Sequence, residues 1–163
     1  MSENKHQENE AKREIVEKYF DMIYKLALSQ TKNREHAEDV VQDVFLRYLK
    51  TDKAFESDEH IKAWLIRVTI NCSHNIFNNS WTKKTVPLSE ELVFNTEEKS
   101  DVYYAALELP PKYKAVIHLF YYEDLSVAQI SKYLGIKEST VKSQLSRGRE
   151  MLREKLKGGY GLV

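Results

Sequence analysis

The feature that most constrains this chain is a spacing. From Arg13 onward the apolar residues Val16, Tyr19, Phe20, Ile23, Leu26 and Ala27 recur at three- and four-residue intervals. The step returns after Asn33, through Ala37, Val40, Val41, Val44, Phe45, Tyr48 and Leu49. It returns again after Ser57, through Ile61, Trp64, Leu65, Val68, Cys72 and Ile76. Such a step lines apolar side chains along one face of a helix, whereas a half-buried strand would alternate. Three such helices with short links bury one another's stripes, so residues 13–85 read as one helical bundle.

Composition supports helices over strands. Five Gly, three Pro and no Asn-Gly or Asp-Gly turn leave little hairpin chemistry. At 42% hydrophobic and 31% charged residues the chain can bury a core. Twenty-five bases balance 25 acids, which argues against coating nucleic acid through bulk charge but leaves room for charge sorted by region. A single cysteine excludes an internal disulfide and makes a reducing compartment the default. Residues 1–12 are polar and charged with no apolar core and read as a disordered tail, not a secretory signal. No stretch approaches the ~20 apolar residues of a membrane span. The expectation is a cytoplasmic protein.

Between Val86 and Asp101 the periodicity stops. Pro87, Ser89, Asn95 and Ser100 interrupt it, and Glu90, Glu91, Glu97, Glu98 and Asp101 make the segment acidic. Residues 86–101 therefore read as a flexible acidic linker, or simply as a solvated segment. A second helical unit spans 102–158, with 159–163 as a tail. Pro110-Pro111 stops one helix and opens the next, since proline fits a first helical turn. Val116, Ile117, Leu119 and Phe120 then form a buried face, and two short helical segments pivot on Gly135.

Those segments carry the most specific local signal. Ser126 with Gln129 forms a capping box that starts a helix at Val127. Ile130 and Leu134 supply its apolar side, Gly135 sits where the chain turns, and Ile136 plugs the corner. Val141 and Leu145 face inward from the next helix. This is the spacing of a helix-turn-helix, whose second helix enters the major groove of DNA. Ser139, Thr140, Lys142, Ser143, Ser146, Arg147 and Arg149 are donors suited to phosphates and base edges. From Lys137 to Lys157, seven bases face three acids. A helical hairpin with an ordinary charged face is the alternative.

The run from Leu109-Pro110-Pro111 through Ser131, continuing past Gly135 to Thr140–Arg149, resembles region four of the sigma-70 initiation factors, specifically their small extracytoplasmic-function (ECF) group. Ala37–Tyr48 resembles the region-two helix that docks on the polymerase clamp, and Ala63–Asn71 the segment that melts and reads the −10 element. The resemblance covers about 13–157. It implies an all-α chain of two small helical domains, with region two joined to a region-four helix-turn-helix by the acidic linker. It implies a factor that binds core RNA polymerase and directs it to promoter DNA, with an anti-sigma factor as a further partner. Two positions depart from the family pattern: Gln144 stands where many relatives carry arginine, and Lys137 where a serine or asparagine cap is usual.

Site residues carry over as follows. Glu38, Asp39, Gln42 and Asp43 form an acidic-polar edge that the resemblance assigns to polymerase; the residues alone suggest only a solvated face. Arg67, Asn71, His74, Asn75 and Asn78 form a polar stripe without acids, extended by Lys83 and Lys84. Amides and aromatics suit unpaired bases, so this stripe is the expected −10 surface, with a solvated face as the alternative. Trp64 lies in the same segment, and the stretch from Thr51 to His60, with Phe55, resembles the loop that captures a flipped base. The −35 element falls to the helix-turn-helix donors named above.

Catalysis has weak candidates. Cys72 continues the apolar stripe, so it reads as a buried free cysteine rather than a nucleophile or a metal ligand beside His74. His118 lies in an apolar helix. No phosphate-binding glycine loop or nucleophile elbow is present. The chain is not expected to be an enzyme or to need a cofactor. A helix-turn-helix regulator acting without polymerase is the competing function; an enzyme built on Cys72 or the histidines is a third.

Overall fold

The computed structural model describes residues 2–78 and 101–159, all helices and short connections. In chain order these are α1 (Ser2–Thr31), α2 (Arg34–Lys50), α3 (Asp58–Asn78), α4 (Asp101–Leu107), α5 (Pro111–Tyr121), α6 (Val127–Leu134) and α7 (Glu138–Gly159). The all-α expectation holds among the described residues. The expected linker and the side chains of Asn78, Lys83 and Lys84 lie outside them.

α1, α2 and α3 pack on one another as a three-helix bundle. Ile23 and Leu26 of α1, Val40 and Val44 of α2, and Leu65 and Ile66 of α3 are almost wholly buried. Each such side chain contributes roughly 1.5–3 kcal/mol of burial. Local signals set the boundaries. The Asn33 side chain accepts from the His36 amide at 2.9 Å and starts α2. Ser57 Oγ accepts from the His60 amide at 3.1 Å and opens α3.

The expected tail is not one. α1 begins at Ser2, eleven residues before Arg13, where the apolar step sets in. Residues 2–11 are exposed, so burial gives periodicity nothing to register there, while Glu3, Lys5, Gln7, Glu8, Glu10 and Ala11 are helix formers in their own right. The Lys12 ammonium then donates to the carbonyls of Leu49 and Thr51 at 3.2 and 3.5 Å, tying α1 to the end of α2.

The second unit is built around α7, which touches α4, α5 and α6. Pro111 occupies the first turn of α5, as its fixed φ and missing N–H allow. The close approach of α7 to α5 occurs at Gly148, where a Cβ would lie 3.0 Å from Ile117 Cγ1. α7 has 22 residues, so it is no short segment; its length lets Leu152 and Leu156 continue against α4 and α5.

The two units also pack against each other, α1 on α5 and α3 on α6. At the first contact Lys114 is buried and donates to the carbonyls of Gln30 and Leu107 at 3.3 and 3.4 Å.

Candidate polymerase and nucleic-acid interfaces

The helix-turn-helix forms as its sequence dictates. Ser126 Oγ accepts from the Gln129 amide at 3.1 Å while the Ser126 amide donates to Gln129 Oε1 at 2.9 Å, closing the capping box. Gly135 ends α6 at φ 68, ψ 33, a left-handed conformation that a side chain would strain. Ile130, Val141 and Leu145 are buried beneath the turn. With that face fixed inward, Ser139, Lys142, Ser143, Ser146 and Arg147 are left exposed on α7, and Thr140 is half-buried. Donors at those positions form one continuous surface, the geometry a groove-reading helix needs.

Arg149 differs from the other donors. Its Nε donates to the Tyr121 hydroxyl at 2.6 Å, and its guanidinium lies 5.7 and 5.6 Å from the ring centroids of Phe120 and Tyr121. It borders an apolar groove of about 410 Å³ walled by Val102, Tyr121, Tyr122, Leu152 and Leu156. Arg149 thus joins α7 to α5 across that groove.

On α2 the acidic-polar edge divides. Glu38 and Gln42 line a groove of about 650 Å³ between α1 and α2, whose apolar walls include Phe20, Leu46 and Leu49. Those three are 49%, 44% and 45% exposed, so Phe20 and Leu49 do not belong to the core, as their place in the apolar step suggested. Glu38 pairs with Arg34 at 3.2 Å and Asp39 is exposed. Asp43 faces the α3 side: it accepts from Arg47 at 3.1 Å and from the Cys72 thiol at 3.3 Å. Burial alone would raise the Asp43 carboxyl, but these hydrogen bonds outweigh it and hold its pKa below the ordinary value. Burial and then Asp43 push the Cys72 thiol up to about 11, leaving it protonated and inert near neutrality.

The expected −10 surface is partly assembled. Phe55 stands edge-on to Trp64 at 5.7 Å and to His60 at 5.2 Å, with Tyr48 at 5.9 Å. Beside this cluster lies a polar hollow of about 290 Å³, lined by Lys53, His60, Trp64 and Arg67 and, from the other unit, Lys132. Asn71 and Asn75 are exposed on α3. His74 is half-buried and its Nε2 is turned inside, away from that stripe.

Arg67 is exposed, yet its guanidinium reaches across the units. Nε and Nη2 donate to the Tyr133 main-chain carbonyl at 3.2 and 3.0 Å. The Tyr133 hydroxyl donates to Glu59 at 3.0 Å, and Lys132 lies 3.8 Å from the same carboxylate. Burial and the Glu59 bond push the Tyr133 phenol up to about 12. Sequence reasoning missed Tyr133, because a tyrosine beside the apolar stripe of a short helix gives no sign of what it packs against.

His118 is buried, stacked on Tyr122 and 3.6 Å from Glu123, a structural setting. Among the described residues no cluster of His, Cys, Asp and Glu could hold a metal ion, and no helix is long and apolar enough to cross a membrane.

Comparison with known proteins accords with this division. Residues 15–82 match the family described as Sigma-70 region 2, and residues 100–152 match Sigma-70, region 4. The chain is 32% identical over 140 residues to the RNA polymerase sigma factor SigV of Bacillus subtilis, covering 82% of this chain and 84% of that protein. It is 29% identical over 164 residues to the ECF RNA polymerase sigma factor SigW of the same organism, covering 88% of each. The fold is similar to that of CnrH, solved in complex with the cytosolic domain of CnrY, at TM-score 0.71 and 20% identity over 93% of this chain and 90% of that one. It is also similar to the sigma factor RpoE solved with the anti-sigma factor NepR from Bartonella quintana, at TM-score 0.62 and 22% identity over 90% of this chain and 97% of that one.

Proposed function

This chain belongs to the sigma-70 family of RNA polymerase sigma factors, in its ECF group, and is a promoter-directing transcription initiation factor; from that premise we propose how its surfaces divide the work. The helix-turn-helix unit reads the −35 element, with Ser139, Lys142, Ser143, Ser146 and Arg147 of α7 toward the major groove. The α3 unit opens and reads the −10 element. Asn71 and Asn75 there can donate to and accept from unpaired bases. The Phe55–Trp64–His60 cluster offers aromatic faces beside the Lys53 and Arg67 cations, a setting suited to an extruded base and its phosphate. No bond is made or broken by the chain in this reading. Binding energy from single-stranded contacts offsets the few kcal/mol per step lost on unstacking.

Core polymerase docks on the α1–α2 groove and its rim, where Phe20, Leu46 and Leu49 are exposed beside Glu38, Asp39 and Gln42. An apolar centre with a charged rim is the usual anatomy of a protein interface. An anti-sigma factor is the proposed regulator, supported by the relative solved with NepR. Such a partner would compete for the grooves on the two units. The working compartment is the cytoplasm, where polymerase and promoters meet.

The observation that carries this reading is the exposed donor face of α7, set by the capping box and Gly135, in the same chain as a three-helix unit with an exposed amide and aromatic surface. Run-off transcription tests it. Core polymerase with the chain should yield discrete transcripts from a genomic fragment library, and core alone should not. Equal transcripts with and without the chain would refute it.

A further inference from the structure

One helix holds both ends of the loop that carries Phe55. α2 ends at Lys50 and α3 begins at Asp58, so residues 51–57 form the connection between them. Residues 52–57 are exposed apart from half-buried Phe55, so burial does little to order this stretch. The bonds within it are local: the Lys53 amide donates to Thr51 Oγ1 and the Glu56 amide to His60 Nδ1, both at 3.2 Å.

The ends are fixed from α1. At the start of the loop the Lys12 ammonium donates to the carbonyls of Leu49 and Thr51 at 3.2 and 3.5 Å. A cation there also suits the negative end of α2. At the far end the Lys18 ammonium and the Tyr19 hydroxyl both donate to Asp58 Oδ2, on the first residue of α3. The bond from Lys18, then that from Tyr19, holds the Asp58 carboxyl below the ordinary carboxylate range, so it stays a charged acceptor. Lys12 and Tyr19 are seven residues apart, close to two helical turns, so they project from one face of α1 about 10 Å apart along its axis. Phe55 lies between the two grips, edge-on to Trp64 and His60.

Magnitudes decide what such bonds can do. Exposed ion pairs and hydrogen bonds of this kind add little to global stability. Ordering a loop before its ligand arrives, however, removes an entropy cost from binding. The grips should therefore show in binding and not in melting.

We infer that Lys12, Lys18 and Tyr19 of α1 are positioning residues for −10 reading, which grip both ends of the 51–57 loop and so preset Phe55 for the extruded base. This deepens the reading of the Phe55–Trp64–His60 cluster as the base-receiving surface and rests on it. The three residues act through Leu49, Thr51 and Asp58 and not by touching the base.

Lys12→Met with Lys18→Met and Tyr19→Phe removes the grips and keeps their apolar stems. The probe is a single-stranded oligonucleotide carrying the −10 segment of a promoter selected by run-off transcription. Affinity of the polymerase holoenzyme for it, read by fluorescence anisotropy, should fall ~10-fold in the triple variant at unchanged helicity. In a Phe55→Ala background the same three changes should cost less than ~2-fold, because they act through Phe55. No fall with Phe55 present, or an equal fall in both backgrounds, overturns the proposal; the second result would assign the loss to charge. The free full chain gives an independent reading. Backbone order parameters of Lys53, Ala54 and Phe55 should lie near ~0.85 in the unmodified chain and drop below ~0.6 in the triple variant. Equal values in the two overturn the preset loop. If Phe55→Ala alone leaves oligonucleotide affinity unchanged, the base-receiving reading of the cluster fails, and the order parameters still decide whether α1 sets the loop.

Discussion

The guanidinium of Arg67 donates two hydrogen bonds, of 3.2 and 3.0 Å, to the main-chain carbonyl of Tyr133, 66 residues further along the chain. That bond joins α3 to the last residues of α6, so the helix-turn-helix is positioned by the unit expected to open DNA. Only the Arg67 half of this bond is open to substitution, whereas the bond from the Tyr133 hydroxyl to Glu59 can be removed from either side.

The α1–α2 groove predicts how polymerase binding fails. Leu46→Glu with Gln42→Arg places charges on the groove wall and rim without touching the core. Affinity for core polymerase should drop ~10-fold or more, about 1.4 kcal/mol, at unchanged helicity. Asp43→Ala should act differently, through stability, because it releases Arg47 and Cys72. A fluorescence titration against core enzyme, with circular dichroism as control, separates the two. Unchanged affinity of the groove variant would place docking elsewhere.

The recognition helix separates reading from structure. Lys142→Ala should cost roughly 1–3 kcal/mol at one promoter position and relax the preference there. Arg147→Ala, if it meets phosphate, should weaken all sequences alike and lower the salt slope by about one unit. Arg149→Ala should instead destabilise the second unit by ~1 kcal/mol, since it loses Tyr121 and the Phe120 face. Binding titrations at several salt concentrations, set beside thermal melts, distinguish the three roles.

Lys114 predicts a pH dependence. Its burial, followed by the charge of Lys32, pushes its pKa down to about 7 from an ordinary lysine value of 10.5. Between pH 7 and 9 the unfolded chain therefore binds more protons at this site than the folded one, so stability should rise with pH across that window. Lys114→Met should flatten the rise and stabilise the chain at pH 7 by ~1 kcal/mol. Melts at pH 7, 8 and 9 check this; a rise that persists in the variant would assign it to another group.

How much of this was legible in the sequence depends on the range of the signal. Ser126, Gln129 and Gly135 act within one turn of their own helix, and capping box, turn and inward face appear where their spacing put them. The helical character of 13–78 followed from the apolar step. That step registers burial and not its partner or its extent. It counted Phe20 and Leu49 as core although they wall an open groove, and it lost α1 before Arg13, where no side chain is buried. Lys114 and Tyr133 were invisible because what defines them is a neighbour more than sixty residues away. Asp43 read as one more acid on a polar edge, since nothing local reveals that Cys72 and Arg47 hold it.

The central claim is that the chain opens promoter DNA through the α3 face. Permanganate reactivity of −10 thymines measures this most directly, on a duplex promoter with core polymerase. Thymines there should react only when the chain is present, and Asn71→Ala with Trp64→Ala should reduce reactivity ~10-fold while −35 binding is kept. A template already unpaired at the −10 element should recover part of the loss. Thymines that react as strongly with the double variant as with the unmodified chain would contradict the account and reduce α3 to a solvated surface.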